Sequence, residues 1–243
     1  MHALRLFFAV ILALCLLAPE PAIGQEPLRI HFISGSNEYA SEASLRSYRQ
    51  TLEAQYEVEI TASWVQDRAT DLPGVEHIPD ADLLLVFTRR MELPGDQMKV
   101  IRNHWEEGKP IVGILTASHA FREDTNQIFD HEVMGGNYTG HFGDEPVTVR
   151  NLVEHPVLEG VEAFSSYRMY KAGPLAENAQ VLQTGTIPNG NTHAVTWVHT
   201  YNGGRTFYTS LGVPEDFENQ NFLRMLTNAV FWTTRRDPAR MRR

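Results

Sequence analysis

Cysteine is almost absent from this sequence. The one thiol, Cys15, sits in an apolar stretch, Leu6 to Leu17 (LFFAVILALCLL), which follows Arg5 and precedes Pro19 and the small-residue stretch Ala22-Ile23-Gly24. A basic head, a short apolar run and small residues before a cut are the parts of an export leader. Residues 1–24 are therefore expected to be removed before Gln25, which places the mature chain in the periplasm or outside the cell. Leu14 is too bulky for the small residue that lipoprotein cleavage prefers before its cysteine, so simple cleavage is expected. The mature chain, 25–243, then has no thiol. Disulfides, thiolate metal sites and a cysteine nucleophile are excluded together. Stability must come from burial alone, and roughly 220 residues bury enough surface for a single domain.

Long hydrophobic runs are also lacking. The leader's run is shorter than the ~20 residues a bilayer-spanning helix needs, and no second run approaches that length. No membrane insertion is expected after cleavage. Positive charge is in short supply: 21 Lys and Arg stand against 30 Asp and Glu, a formal −9. Such a field repels phosphate backbones, so nucleic acid is not an expected partner. The one basic cluster (Arg235, Arg236, Arg240, Arg242, Arg243) reads as a solvated tail. No HExxH, P-loop, GxGxxG or GxSxG motif occurs, and no metal or cofactor is expected.

What is present is an alternation of strand-length apolar runs with helical patterns, the mark of an α/β fold with a mostly parallel sheet flanked by helices. Leu28–Ser34 reads as the first strand. A helix follows, with Ser41 as its N-cap and Leu45, Tyr48, Leu52 and Tyr56 on one face. Val58–Ala62 is the second strand, and 66–80 reads as loop. The run Ala81–Thr88 (ADLLLVFT) has the look of a strand buried on both faces. Pro94 opens a helix that Gly108 and Pro110 close, and Ile111–Thr116 is the next strand. Gly135–Asp144 (GGNYTGHFGD) is too irregular for a core element. Further strands are expected at Val147–Leu152, Ala179–Thr186, His193–Tyr201 and Arg205–Leu211. The last two are joined by the turn Asn202-Gly203-Gly204, and a final helix spans Asn219–Thr234.

Ligands of open parallel sheets bind beyond the carboxyl ends of the strands, so strand ends nominate the site. They offer Glu38 and Tyr39 after the first strand, Arg89 and Arg90 after the buried one, and Ser118 and His119 after its neighbour. Glu215 and Asp216 follow the last strand, and Tyr138 and His141 come from the glycine-rich loop. Each has a plainer reading. Arg90 could be a surface charge, Ser118 a helix cap, and Glu215 and Asp216 carboxylates offsetting a helix dipole. His193 and His199, six apart on one strand, should share a face and read as structural.

Four blocks, in order, resemble the ThuA-like family, a branch of the class I glutamine amidotransferase-like superfamily associated with trehalose utilisation. They are GKPIVGILTASHAF (Gly108–Phe121), GGNYTGH (Gly135–His141), HPVLEGV (His155–Val161) and GGRTFYTSLGVPEDF (Gly203–Phe217). The resemblance implies a flavodoxin-like fold and an association with carbohydrate metabolism. Glutaminases of that superfamily use a Cys in a tight strand-to-helix turn, with a His and a Glu one residue apart after a late strand. Here Leu115 stands at the Cys position and Val213 at the His position, and only Glu215 survives. Thioester chemistry is excluded on that reading.

Two readings remain open. In one, the chain is a hydrolase-type enzyme on a sugar derivative: His119 or His141 is general acid or base, Glu38 or Asp216 its carboxylate partner, and Arg89 a charge stabiliser. In the other, it is a non-catalytic module that holds a small carbohydrate, with Glu38, Tyr39, Arg89, Ser118, Tyr138 and Glu215 contacting hydroxyls and Tyr138 or Phe142 stacking on a ring. A carboxylate–histidine pair within ~3 Å would favour the enzyme; an aromatic lining without one would favour binding.

Overall fold

Six consecutive buried residues, Leu83–Thr88, form the centre of the parallel half of a nine-stranded sheet. The computed structural model describes residues 26–243; the expected leader, with Cys15, lies outside the described residues. In chain order the elements are β1 (Leu28–Gly35), α1 (Ser41–Gln55), β2 (Val58–Trp64), β3 (Leu83–Thr88), α2 (Gly95–Glu106), β4 (Ile111–Ile114) and α3 (Glu123–Gln127). They continue with β5 (Gly140–His141), β6 (Pro146–Asn151), β7 (Phe164–Tyr167), β8 (Tyr170–Lys171), β9 (Gln180–Thr186), β10 (Thr192–Tyr201), β11 (Gly204–Thr209) and α4 (Gln220–Thr234).

The sheet order is β2-β1-β3-β4-β11-β10-β9-β6-β7. The first five strands are parallel and the last four are added antiparallel. The chain steps from β1 out to β2 and back across to β3, so strand order reverses at β1/β3, where a ligand crevice is expected. Strands β5 and β8 form a separate small ribbon.

Alternation along β3 explains its two-sided burial. Leu83, Leu85 and Phe87 join the layer that holds Leu45, Tyr48 and Leu52 of α1 and Phe222, Leu226 and Val230 of α4. Leu84 and Val86 join the other, with Met98, Ile101 and Trp105 of α2. Trp105 packs on Phe129 at 5.3 Å between ring centroids, and removing such a ring from a closed core costs about 3–5 kcal/mol.

Several local expectations need correction. Ser41 does not cap α1. Ala40 precedes the helix in a left-handed conformation (φ 48), and the Ser41 hydroxyl turns back to Ser34 Oγ (2.9 Å) and the Ser36 amide (2.9 Å). The strand at Ile111 ends at Ile114 rather than Thr116, because Leu115 enters the left-handed region (φ 46) and starts a 3-10 turn, Leu115–His119. Ser118 lies inside that turn, its hydroxyl 3.3 Å from Leu115 O, so it does not cap a helix at His119.

Strand β10 holds the largest departure. Its register against β9 shifts by one residue between Ala194 and Thr196 and shifts back between Thr196 and Trp197, an irregularity that leaves Val195 unpaired and reverses which face later side chains take. Val195 and Val198 consequently share one core layer while Trp197 joins the other. His193 and His199 therefore lie on opposite faces: His193 meets Phe142 at 4.7 Å, and His199 Nε2 reaches Glu132 O at 2.9 Å.

Candidate functional site

The loops after β1 and β3 meet the β7–β8 turn through two arginines. Arg168, from that turn, donates to Glu38 Oε1 (2.6 Å), to the Tyr39 hydroxyl and to Asp144, and its guanidinium lies 5.1 Å from the Tyr39 ring centre. Burial opposes its charge, but the bonds to Tyr39, Glu38 and Asp144 outweigh that, and its pKa rises. Arg89 donates to Asp67 Oδ2 (3.1 Å) and lies 3.6 Å from Glu38 Oε2. Asp67 in turn accepts the Asn37 amide at 2.9 Å. Glu38 is thus shared between two guanidinium groups, an arrangement that fixes donors and acceptors in place.

Beneath this network is an aromatic floor. The His119 ring stacks on Tyr138 (4.4 Å between centroids, 21° between planes) and lies 5.9 Å from Tyr170. The Tyr170 hydroxyl donates to Tyr39 Oη at 3.3 Å. Burial pushes the His119 pKa down to about 3, helped by Arg90, Arg89 and His141. Its ring is therefore neutral at ordinary pH. Nδ1 meets Ser118 Oγ at 3.1 Å, and no carboxylate bonds to it. His141 sits on β5 directly opposite Tyr170, exposed, with Nδ1 accepting the Gly143 amide at 3.0 Å.

The structure thus gathers Glu38, Tyr39, Arg89, Ser118, His119, Tyr138 and His141 at one edge. No hydrogen bond joins the other two to these side chains. Asp216 is buried, and its Oδ2 accepts Gly212 N (2.7 Å), Val213 N (3.1 Å) and Ser166 Oγ (2.9 Å). Burial raises its pKa to about 6 against those bonds. It staples the turn after β11 and partners no histidine. Glu215 is exposed beside it. Phe142 already contacts the His193 ring (4.7 Å) and the Lys171 ammonium (4.7 Å). Sequence reasoning missed Arg168 and Tyr170, because β7 and β8 are too short to show a period. Among the described residues, no group of three His, Cys, Asp or Glu could hold a metal ion.

Backbone strain is concentrated here. Among the described residues, seven non-glycine residues have positive φ, and five of them (Ala40, Arg68, Arg90, Leu115 and Arg168) lie in the turns of this edge. Such conformations cost of order 1–3 kcal/mol each and cluster at functional sites. Leu115, at the tight turn after β4, is fully buried. Val213, after β11, is also buried.

Asp130 anchors the glycine-rich loop from below. It lies in a π-helical turn, Ile128–Val133. Its Oδ2 accepts the Tyr138 amide at 2.7 Å, its carbonyl accepts the Gly136 amide at 2.8 Å, and Oδ1 is buried without a partner. Burial raises its pKa to about 7, partly offset by the Tyr138 bond. A Cβ at Gly136 would come within 2.7 Å of Oδ1, so that close approach requires glycine.

A family model described as "ThuA: Trehalose utilisation" matches residues 30–233. No curated protein matches the sequence. Among solved structures, a ThuA-like protein of Bacteroides uniformis is similar at 15% identity and TM-score 0.63, covering 89% of this chain and 95% of that one. Another from Parabacteroides merdae is similar at 15% identity and TM-score 0.66, covering 86% and 90%. The β-galactosidase of Rahnella sp. R3 is similar at 14% identity and TM-score 0.58, over 88% of this chain and 32% of that one. At these identities the likeness is one of fold.

Proposed function

Since the chain belongs to the ThuA family, described as trehalose utilisation, we propose that it is an exported protein that binds a carbohydrate or sugar derivative and has no glutaminase activity. The ligand lies against the edge formed by Glu38, Tyr39, Arg89, Arg168 and Tyr138. One observation carries this reading over the hydrolase reading: His119 is held neutral against Tyr138 and Tyr170 with Ser118 as its hydrogen-bonding side chain. A general acid or base needs a proton within reach and a pKa near the working pH, and neither His119 nor His141 is paired with a carboxylate. Hydroxyl-rich ligands are instead suited by fixed arginine–carboxylate pairs beside aromatic faces. Leu115 and Val213 leave no thiol and no base for thioester chemistry.

Calorimetry on the mature protein with mono- and disaccharides tests this. A sugar should bind, and Arg168→Gln should weaken it about tenfold or more, as expected for bonds from a charged group. Pure protein should release no ammonia from glutamine. Turnover of the bound sugar, or failure of every sugar to bind, would refute the binding reading.

A further inference from the structure

A hollow of about 360 Å³ lies beside that edge, lined by Ser36, Asn37, Ser41, Glu42, Arg46 and Gln66 among others. It opens on the amino end of α1, a helix of 15 residues whose first turn has no side-chain cap. The residue in the cap position is Ala40, so the amides of Glu42 and Ala43 have no side-chain acceptor. Ser36 is 1% exposed, and its hydroxyl is buried with no partner. Helix amino ends favour anions through free N–H groups and the dipole. Arg46 adds a cation held in place, bonded to Glu42 (2.9 Å) and lying 4.4 Å from the Trp64 ring centre.

Charge sets the class of ligand. Arg46 and Glu42 cancel, leaving the helix end with roughly half a positive charge. That suits a single negative charge and not a phosphate dianion. The volume falls at the small end of the roughly 300–1,000 Å³ range of ligand pockets, and Asn37 ties the hollow to the Arg89 network through Asp67. We propose that this hollow binds a carboxylate, and that the ligand is accordingly a small sugar acid. The carboxylate rests on the hollow alone; the sugar rests on the function proposed above.

Calorimetry on the mature protein with glucuronate, glucose and acetate tests both parts, using the wild type, Ser36→Ala and Arg46→Gln. Glucuronate should bind at least tenfold more tightly than glucose. Arg46→Gln should abolish that preference, and Ser36→Ala should weaken glucuronate about tenfold without lowering the unliganded melting temperature, because the lost hydroxyl has no partner in the fold. Equal binding of glucose and glucuronate would overturn the carboxylate site and leave sugar binding standing. Acetate binding as tightly as glucuronate, with both lost in Arg46→Gln, would keep the carboxylate site and overturn the sugar. Undiminished glucuronate binding by Ser36→Ala would overturn the hollow as its location, and no binding by any of the three overturns the sugar-acid proposal entirely.

Discussion

Replacing Asp130 with asparagine should stabilise the protein above neutral pH and change it little in acid. The folded pKa of Asp130, about 7, lies above its ordinary 3.8 because the carboxylate is buried with Oδ1 unpartnered. A folded pKa above the unfolded one favours the protonated form. Its contribution is fully present below pH 3.8, is lost as pH climbs towards 7, and stays lost above that. A rise of about three pH units corresponds to a cost on the order of 4 kcal/mol for keeping the charge buried at alkaline pH. Asparagine retains an oxygen for the Tyr138 amide and carries no charge. Urea denaturation at intervals from pH 4 to pH 9 should therefore show Asp130→Asn level with the wild type near pH 4 and ahead by several kcal/mol at pH 8 and above. His131 Nε2 lies 4.0 Å from Oδ2, so both proteins should carry His131→Gln. A constant difference at all pH values, or a variant less stable at pH 8, would refute the reasoning.

Burial lowers the pKa of His31 and His104 to about 4 and of His119 to about 3. Their contribution is present above pH 6.5 and lost as pH falls, each at about 1.4 kcal/mol per pH unit, which opposes the gain from Asp130. In NMR titrations these three ring resonances should stay fixed from pH 8 to pH 5; movement of His119 near pH 6.5 would contradict its burial. Intact-mass analysis of the exported protein should show a chain beginning at Gln25, and retention of Cys15 would refute the expected cleavage.

The parallel half of the fold was legible because its central strands, β1, β3 and β4, are nearly continuous apolar runs buried on both faces. Leu83–Thr88 could hardly be read otherwise, and Pro94 and Gly108 bound α2 as punctuation predicts. The antiparallel half was legible only in part. Strands of two and four residues, β8 and β7, are below the length at which period 2 emerges, and with them went Arg168 and Tyr170. Strand ends nominated Glu38, Arg89 and His119, and these lie at one edge because topology alone places residues beyond adjacent strands together. Asp216 is ambiguous in sequence for a physical reason: a carboxylate just before a helix can serve a ligand or its own backbone, and in the structure its Oδ2 bonds Gly212, Val213 and Ser166. The hollow beside α1 was hidden because an absent cap leaves no signature residue.

The irregularity in β10 gives the length of one short stretch a meaning of its own. Val195 and Thr196 occupy the turn-over point, before which odd-numbered side chains serve the α1/α4 layer and after which even-numbered ones do. Deleting either residue would carry His199 from the Glu132 side to the other layer, or His193 away from Phe142. In comparing related chains, a one-residue gap between 194 and 197 is thus an inside-out exchange of two core surfaces, whereas a gap of the same size in the Asn189–Asn191 turn lengthens or shortens an exposed loop.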